Sequence, residues 1–272
     1  MSLFRRHIAL PQDHGSWTFF LGPLIVGLAA GGRWHTTVIY LTIAAACGFL
    51  VRQPIGLVVK VAAGRRGRDV LPAAFFWIAV YGAIAVLFVV GLVMRGFAYI
   101  LVLAIPGMLV FCWYLALLYH RAERRQWLME ILATGSIALV APAGMWAGQG
   151  EPDTLGWWLW LLMWLQSATG IVFVYLRLEQ RRMGAAPAVG ERLREGAPAL
   201  TTMTAGLLLA AGLGAAGVVS PWLWIAYLWQ GLEVVRGVLQ PAIGVKPVAI
   251  GVRQLIVKIV FVILFIVLWR SG

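Results

Sequence analysis

"LPAAFFWIAVYGAIAVLFVVGLVM", residues 71–94, contains no charged side chain. As a helix at about 1.5 Å per residue it would be about 36 Å long, more than the roughly 30 Å hydrocarbon core of a bilayer. Arg65, Arg66 and Arg68 stand just before it and Arg95 just after. A stretch of this length and polarity reads as a transmembrane helix, and the rest of the chain repeats the pattern.

Working outward, further apolar spans fall at about 17–32, 36–53, 97–119, 128–148, 155–176, 198–217, 221–240 and 248–269, nine in all. The second is expected to break near Pro54. The 272 residues are 62% hydrophobic and only 12% charged, half the charge of an ordinary soluble domain. No polar stretch is long enough to build a soluble core, so residues 1–272 are expected to form a single integral membrane domain. The expected fold class is an all-α polytopic membrane protein.

The connections give an orientation. With the N-terminus inside, 19 of the 22 Lys and Arg residues fall on the cytoplasmic side, and Arg33, Arg95 and Arg270 remain opposite. This asymmetry is the positive-inside rule, and it predicts a cytoplasmic N-terminus and an outside C-terminus. The expected location is the bacterial cytoplasmic membrane, with membrane lipids as surroundings. The net charge of +12 is explained by these topology signals. Together with the lack of any soluble nucleic-acid-binding module, that argues against nucleic acid as a partner. Arg5 and Arg6 precede an apolar run as in a signal peptide, but Pro11, Asp13 and His14 intervene, so an uncleaved first helix is expected.

Cys47 and Cys112 lie in different spans and read as inert thiols. No Cys/His spacing suits a metal, and no P-loop or dinucleotide fingerprint is present, so neither metal nor cofactor is expected.

Polar residues inside or beside spans are the candidates for function. In "PQDHGSW" (11–17), Asp13 could cap the first helix and His14 could meet a ligand. In "RQPIGLVVK" (52–60), Arg52, Gly56 and Lys60 share one helix face. In "LLYHRAERRQWLMEI" (117–131), His120, Glu123, Arg124 and Glu130 cluster, and Glu130 sits a turn inside its span, with nearby arginines as expected partners. In "VYLRLEQRRMG" (174–184), Arg177 and Arg181 share a face. In the last two spans, Gln230, Glu233, Arg236, Lys246 and Arg253 form a further polar set. Glu233 there is spaced to pair with Arg236, and Lys258 to snorkel towards the interface.

All of these lie toward the cytoplasmic helix ends, above apolar and aromatic depths. That gradient suits an anionic amphiphile, isoprenoid or phospholipid, with its head at a basic mouth near Arg52, Arg177 and Glu130. Two other classes compete: a small-anion transporter or channel, and an accessory subunit of a membrane complex that packs through aromatic runs such as "WWLWLLMW" (157–164).

The opening "LPQDHGSW…GPLIVGL" (10–28), the basic 120–127 connection and "VKPVAIGVRQ" (245–254) resemble the YwiC-like family of bacterial membrane proteins along nearly the whole chain. That resemblance implies a class rather than an activity. A more distant similarity is to the UbiA-type intramembrane prenyltransferases. It implies a bundle of nine helices with functional loops after helices 2 and 6. Those enzymes place aspartate-rich motifs there to hold magnesium and a prenyl diphosphate. Here the matching positions read "RQPIGLVVK" and "RLEQR" (177–181), with cations in place of carboxylates. The similarity therefore implies a degenerate, transferase-like protein without magnesium, whose arginines meet the anion directly.

Overall fold

A computed structural model describes residues 6–11, 14–122 and 127–270. The side chains of His14 and Arg270 lie outside the description, as do Arg5, Asp13, Glu123, Arg124 and Arg125. Among the described residues there are helices and no strand. In chain order they are α1 (Arg6–Ala9), α2 (His14–Gly31), α3 (Thr36–Ala62), α4 (Leu71–Met94), α5 (Ala104–Tyr119), α6 (Trp127–Ala138), α7 (Val140–Gln149), α8 (Thr154–Gln180), α9 (Val189–Ala215), α10 (Trp224–Leu239) and α11 (Pro247–Arg270). Among the described residues, seven helical stretches are long and apolar enough to cross a membrane, with α6 and α7 counting as one. The shorter α2 and α10 occupy the other two expected spans. The protein is a multi-pass membrane bundle.

Prolines decide the interruptions, though not uniformly. The expected break near Pro54 is absent, and α3 runs unbroken to Ala62. Pro54 cannot donate to the Leu50 carbonyl one turn back. The Arg52 Nε donates to the Phe49 carbonyl at 3.1 Å, one residue before that gap. The expected 128–148 span does break, at Leu139, where Pro142 leaves the Ala138 carbonyl without its helical donor.

Two seams set the packing. Gly27 and Gly31 of α2 face Gly144 and Gly148 of α7, each pair four residues apart. A Cβ on Gly27 would run into the Ala141 backbone, and one on Gly148 would lie 3.0 Å from the Gly31 Cα. This small-residue spacing lets membrane helices touch along their backbones. On the other side, Tyr227 of α10 packs edge-on to Phe261 of α11 at 5.1 Å and donates to the Leu162 carbonyl of α8 at 2.8 Å.

The short α1 has no counterpart among the expected spans. It tucks between α3 and α4, and its Ile8 is fully buried against Leu57, Val70 and Ala74. Gln53 Nε2 donates to the His7 carbonyl at 3.0 Å and the Tyr81 hydroxyl to the Ala9 carbonyl at 3.1 Å. These bonds satisfy carbonyls that so short a helix leaves open.

Candidate functional site

Helix α5 stands away from the bundle. Of its sixteen residues only Leu118 is buried. Arginines secure its end: Arg65 Nη1 donates to the Leu118 carbonyl at 3.0 Å, and Arg121 Nη2 returns to the Ala63 carbonyl at 3.1 Å. The last carbonyls of a helix have no partner within it and attract cations, so each arginine caps the other's helix. This fixes the ends of α3 and α5 side by side at the basic end of the bundle.

Behind α5 lies a cavity of about 820 Å³, walled by α2, α3, α5 and α6–α7. Gly107, Met108, Phe111 and Tyr114 line it from α5 at helical spacing. Along the opposite wall the lining extends from Glu130 to Ala143, about 20 Å at helical rise, somewhat more than one leaflet of the roughly 30 Å hydrocarbon core. The far end is apolar, with Leu92, Ile100 and Leu103. The basic end is polar, with Ser16, Arg52, Gln53, Tyr114 and Glu130.

Arg52 is held in place at this polar end. Its guanidinium carbon lies 4.2 Å from the centre of the Phe49 ring, which stacks on Phe20 at 4.6 Å. That cation–π contact and the bond to the Phe49 carbonyl present the guanidinium from a rigid aromatic base. Glu130 lies in the first turn of α6, where the helix dipole favours a carboxylate. Its partner is a tyrosine rather than the expected arginine: the Tyr175 hydroxyl of α8 donates to Oε1 at 2.6 Å. Thr134, one turn further, donates to the Ile131 carbonyl and is already satisfied.

The other expected residues gather elsewhere, around the end of α10. Arg177 Nη1 donates to the Gly237 carbonyl at 2.8 Å, the Gln240 carbonyl at 2.6 Å and Gln180 Oε1 at 2.9 Å. Arg192 Nη1 donates to the Leu239 carbonyl at 2.9 Å, and Arg181 Nε to the Val245 carbonyl at 3.3 Å. Glu233 pairs with Arg253 of α11 through two 2.6 Å bonds, while Arg236 turns to Gln240 Oε1 at 3.3 Å. The expected Glu233–Arg236 pair therefore gives way to one that joins two helices. Gln230 Nε2 bonds the Gln166 carbonyl at 3.1 Å inside the bundle. The single mouth expected near Arg52, Arg177 and Glu130 is thus two places. Arg52 and Glu130 line the cavity, and the arginines at the end of α10 serve its open carbonyls.

Lys60 sits in the last turn of α3, and exposed His120 packs edge-on to Tyr119 at 5.4 Å. Exposed Lys246 offers its carbonyl to the start of α11, accepting from Ala249 N at 3.0 Å. None of the three lines the cavity. His14 begins α2 through its backbone. Lys258, expected to snorkel outwards, instead buries its Nζ 3.4 Å from the centre of the Phe19 ring, with no hydrogen-bond partner among the described residues.

Sequence reasoning missed Tyr175, Tyr114 and Ser16. Tyr175 lies two residues before Arg177, hence toward the opposite face of α8, and its spacing behind Glu179 and Arg177 could have signalled a second polar face.

A family model described as YwiC-like protein matches residues 10–145, half of the chain. Every residue lining the cavity except Ile171 lies within that match, whereas the cluster at the end of α10 lies outside it. No curated protein and no solved structure matches the chain. The cavity is thus built from the family-matching half, and the chain belongs to the YwiC-like family.

Proposed function

We propose that this protein holds one anionic membrane amphiphile, a phospholipid or an isoprenoid phosphate, in the cavity behind α5. The basic end faces the cytoplasm of a bacterial inner membrane. The observation that carries this reading is the polarity gradient within one cavity: Arg52, Gln53 and Ser16 at one end, and an apolar bore about as long as a leaflet below them. The head meets the Arg52 fork, which suits phosphate oxygens, and the tail fills the bore.

Binding or carrying is better supported than group transfer. A transferase-like reading on the pattern of the UbiA-type enzymes needs the basic segments after helices 2 and 6 to face one ligand, and Arg177 instead bonds the Gly237 and Gln240 carbonyls. An ion path is less well supported, because the polar lining stops before the far end of the cavity.

The test is native mass spectrometry of the gently purified protein beside Arg52→Gln. A defined lipid phosphate at one copy per chain, lost or much reduced in the variant, supports the reading. A wild-type protein that carries no lipid overturns it.

A further inference from the structure

The cavity's second charge goes beyond an anion site. Glu130 is a carboxylate inside a membrane-spanning stretch, where an unpaired charge is costly. Its Oε1 accepts from Tyr175 at 2.6 Å. Its Oε2 accepts from no described residue, and no described cation forms a salt bridge with it. The α6 dipole and the tyrosine bond both suit a carboxylate. Such a group on an apolar cavity, with an oxygen to spare, calls for a donor that the described residues do not supply.

We infer that the bound amphiphile is an aminophospholipid, its phosphate at Arg52 and its ammonium at Glu130. The inference rests on the amphiphile reading above and narrows it. Arg52 and Glu130 line the polar end of the same cavity and are its only charged lining residues among those described. One cation and one carboxylate complement a zwitterion better than a simple anion. An ammonium beside the exposed Glu130 carboxylate gives its Oε2 a charge-assisted hydrogen bond. An isoprenoid phosphate has no such donor and would bring its own charge toward that carboxylate. Tyr175 acts as a positioning residue that fixes the carboxylate rotamer and leaves Oε2 turned to the ligand.

The experiment uses the full chain in detergent, stripped of lipid and titrated with phosphatidylethanolamine, phosphatidylglycerol or undecaprenyl phosphate under native mass spectrometry. Wild-type protein should favour phosphatidylethanolamine over both others. Glu130→Gln should reduce that preference roughly tenfold, as expected for losing a charged hydrogen bond. Phosphatidylethanolamine N-acetylated at its amine tests the same point on the wild-type protein, should Glu130→Gln fail to fold. It should bind no better than phosphatidylglycerol. Equal or tighter binding of the amine-free lipids by wild-type protein overturns the aminophospholipid assignment and leaves the amphiphile site standing. Wild-type protein that binds none of the three overturns both.

Discussion

Tyr175 and Glu130 meet at 2.6 Å, hydroxyl to carboxylate, and join the end of α8 to the start of α6 at the polar end of the cavity. The bond ties the wall of the bundle to the one acidic group that lines the bore among the described residues. Tyr175→Phe removes the donor and leaves the ring. A hydrogen bond to a charged group contributes about 1.5 to 3 kcal/mol, so melting in detergent should show a clear loss of stability. The same variant should weaken discrimination between amine-bearing and amine-free lipids, a readout that a purely structural tie would not move.

Arg177→Gln should separate structure from ligand. The variant loses the bonds to the Gly237 and Gln240 carbonyls that close α10. A destabilisation of about 2 to 3 kcal/mol is expected, measured by thermal unfolding. Lipid occupancy in the folded fraction should match wild type, because Arg177 does not line the cavity.

The Glu233–Arg253 pair is asymmetric: the arginine side chain is 40% exposed and the glutamate 11%. Arg253→Met leaves the more buried carboxylate without its partner. That should cost about 1.5 to 3 kcal/mol, the range for losing hydrogen bonds to a charged group, since solvent reaches the arginine side of the pair. The double variant Glu233→Leu/Arg253→Met should recover most of the loss, since apolar replacement of a whole pair is often neutral. Unfolding midpoints of the two variants decide the point.

Lys258 presents the opposite case. Its Nζ is buried over Phe19 with no hydrogen-bond partner among the described residues. A desolvated cation–π contact contributes about 2 kcal/mol, while burying an ammonium costs several. Lys258→Met keeps the length and removes the charge, so its melting temperature should rise. A fall would mean that the ammonium has a role in the bundle beyond packing.

How far the chain can be read from its residues depends on the range of the interaction. The 71–94 run declares a helix because its period and length are local, and the same holds for the other spans. Proline is a poorer guide. Pro54 and Pro142 look alike in sequence, but α3 runs on through the first, and the chain breaks at Leu139 before the second. Arg52 and Glu130 are legible as polar groups within apolar spans. The role of Arg177 is not, because its acceptors lie about sixty residues away, at Gly237 and Gln240. The burial of Ile8 is likewise hidden, since a short segment beside charged residues gives no periodic signal.

The most direct test of the cavity as a lipid site fills it. Gly48 and Gly107 line it with open space where a side chain would begin, while Gly82 on α4 has similar space outside it. Co-purifying lipid should be counted per chain by native mass spectrometry for Gly48→Leu, Gly107→Leu and Gly82→Leu. The expected result is one lipid in wild type and Gly82→Leu, and little or none in the two cavity variants with their fold intact. Equal lipid in all four proteins would contradict the assignment of the cavity as its site.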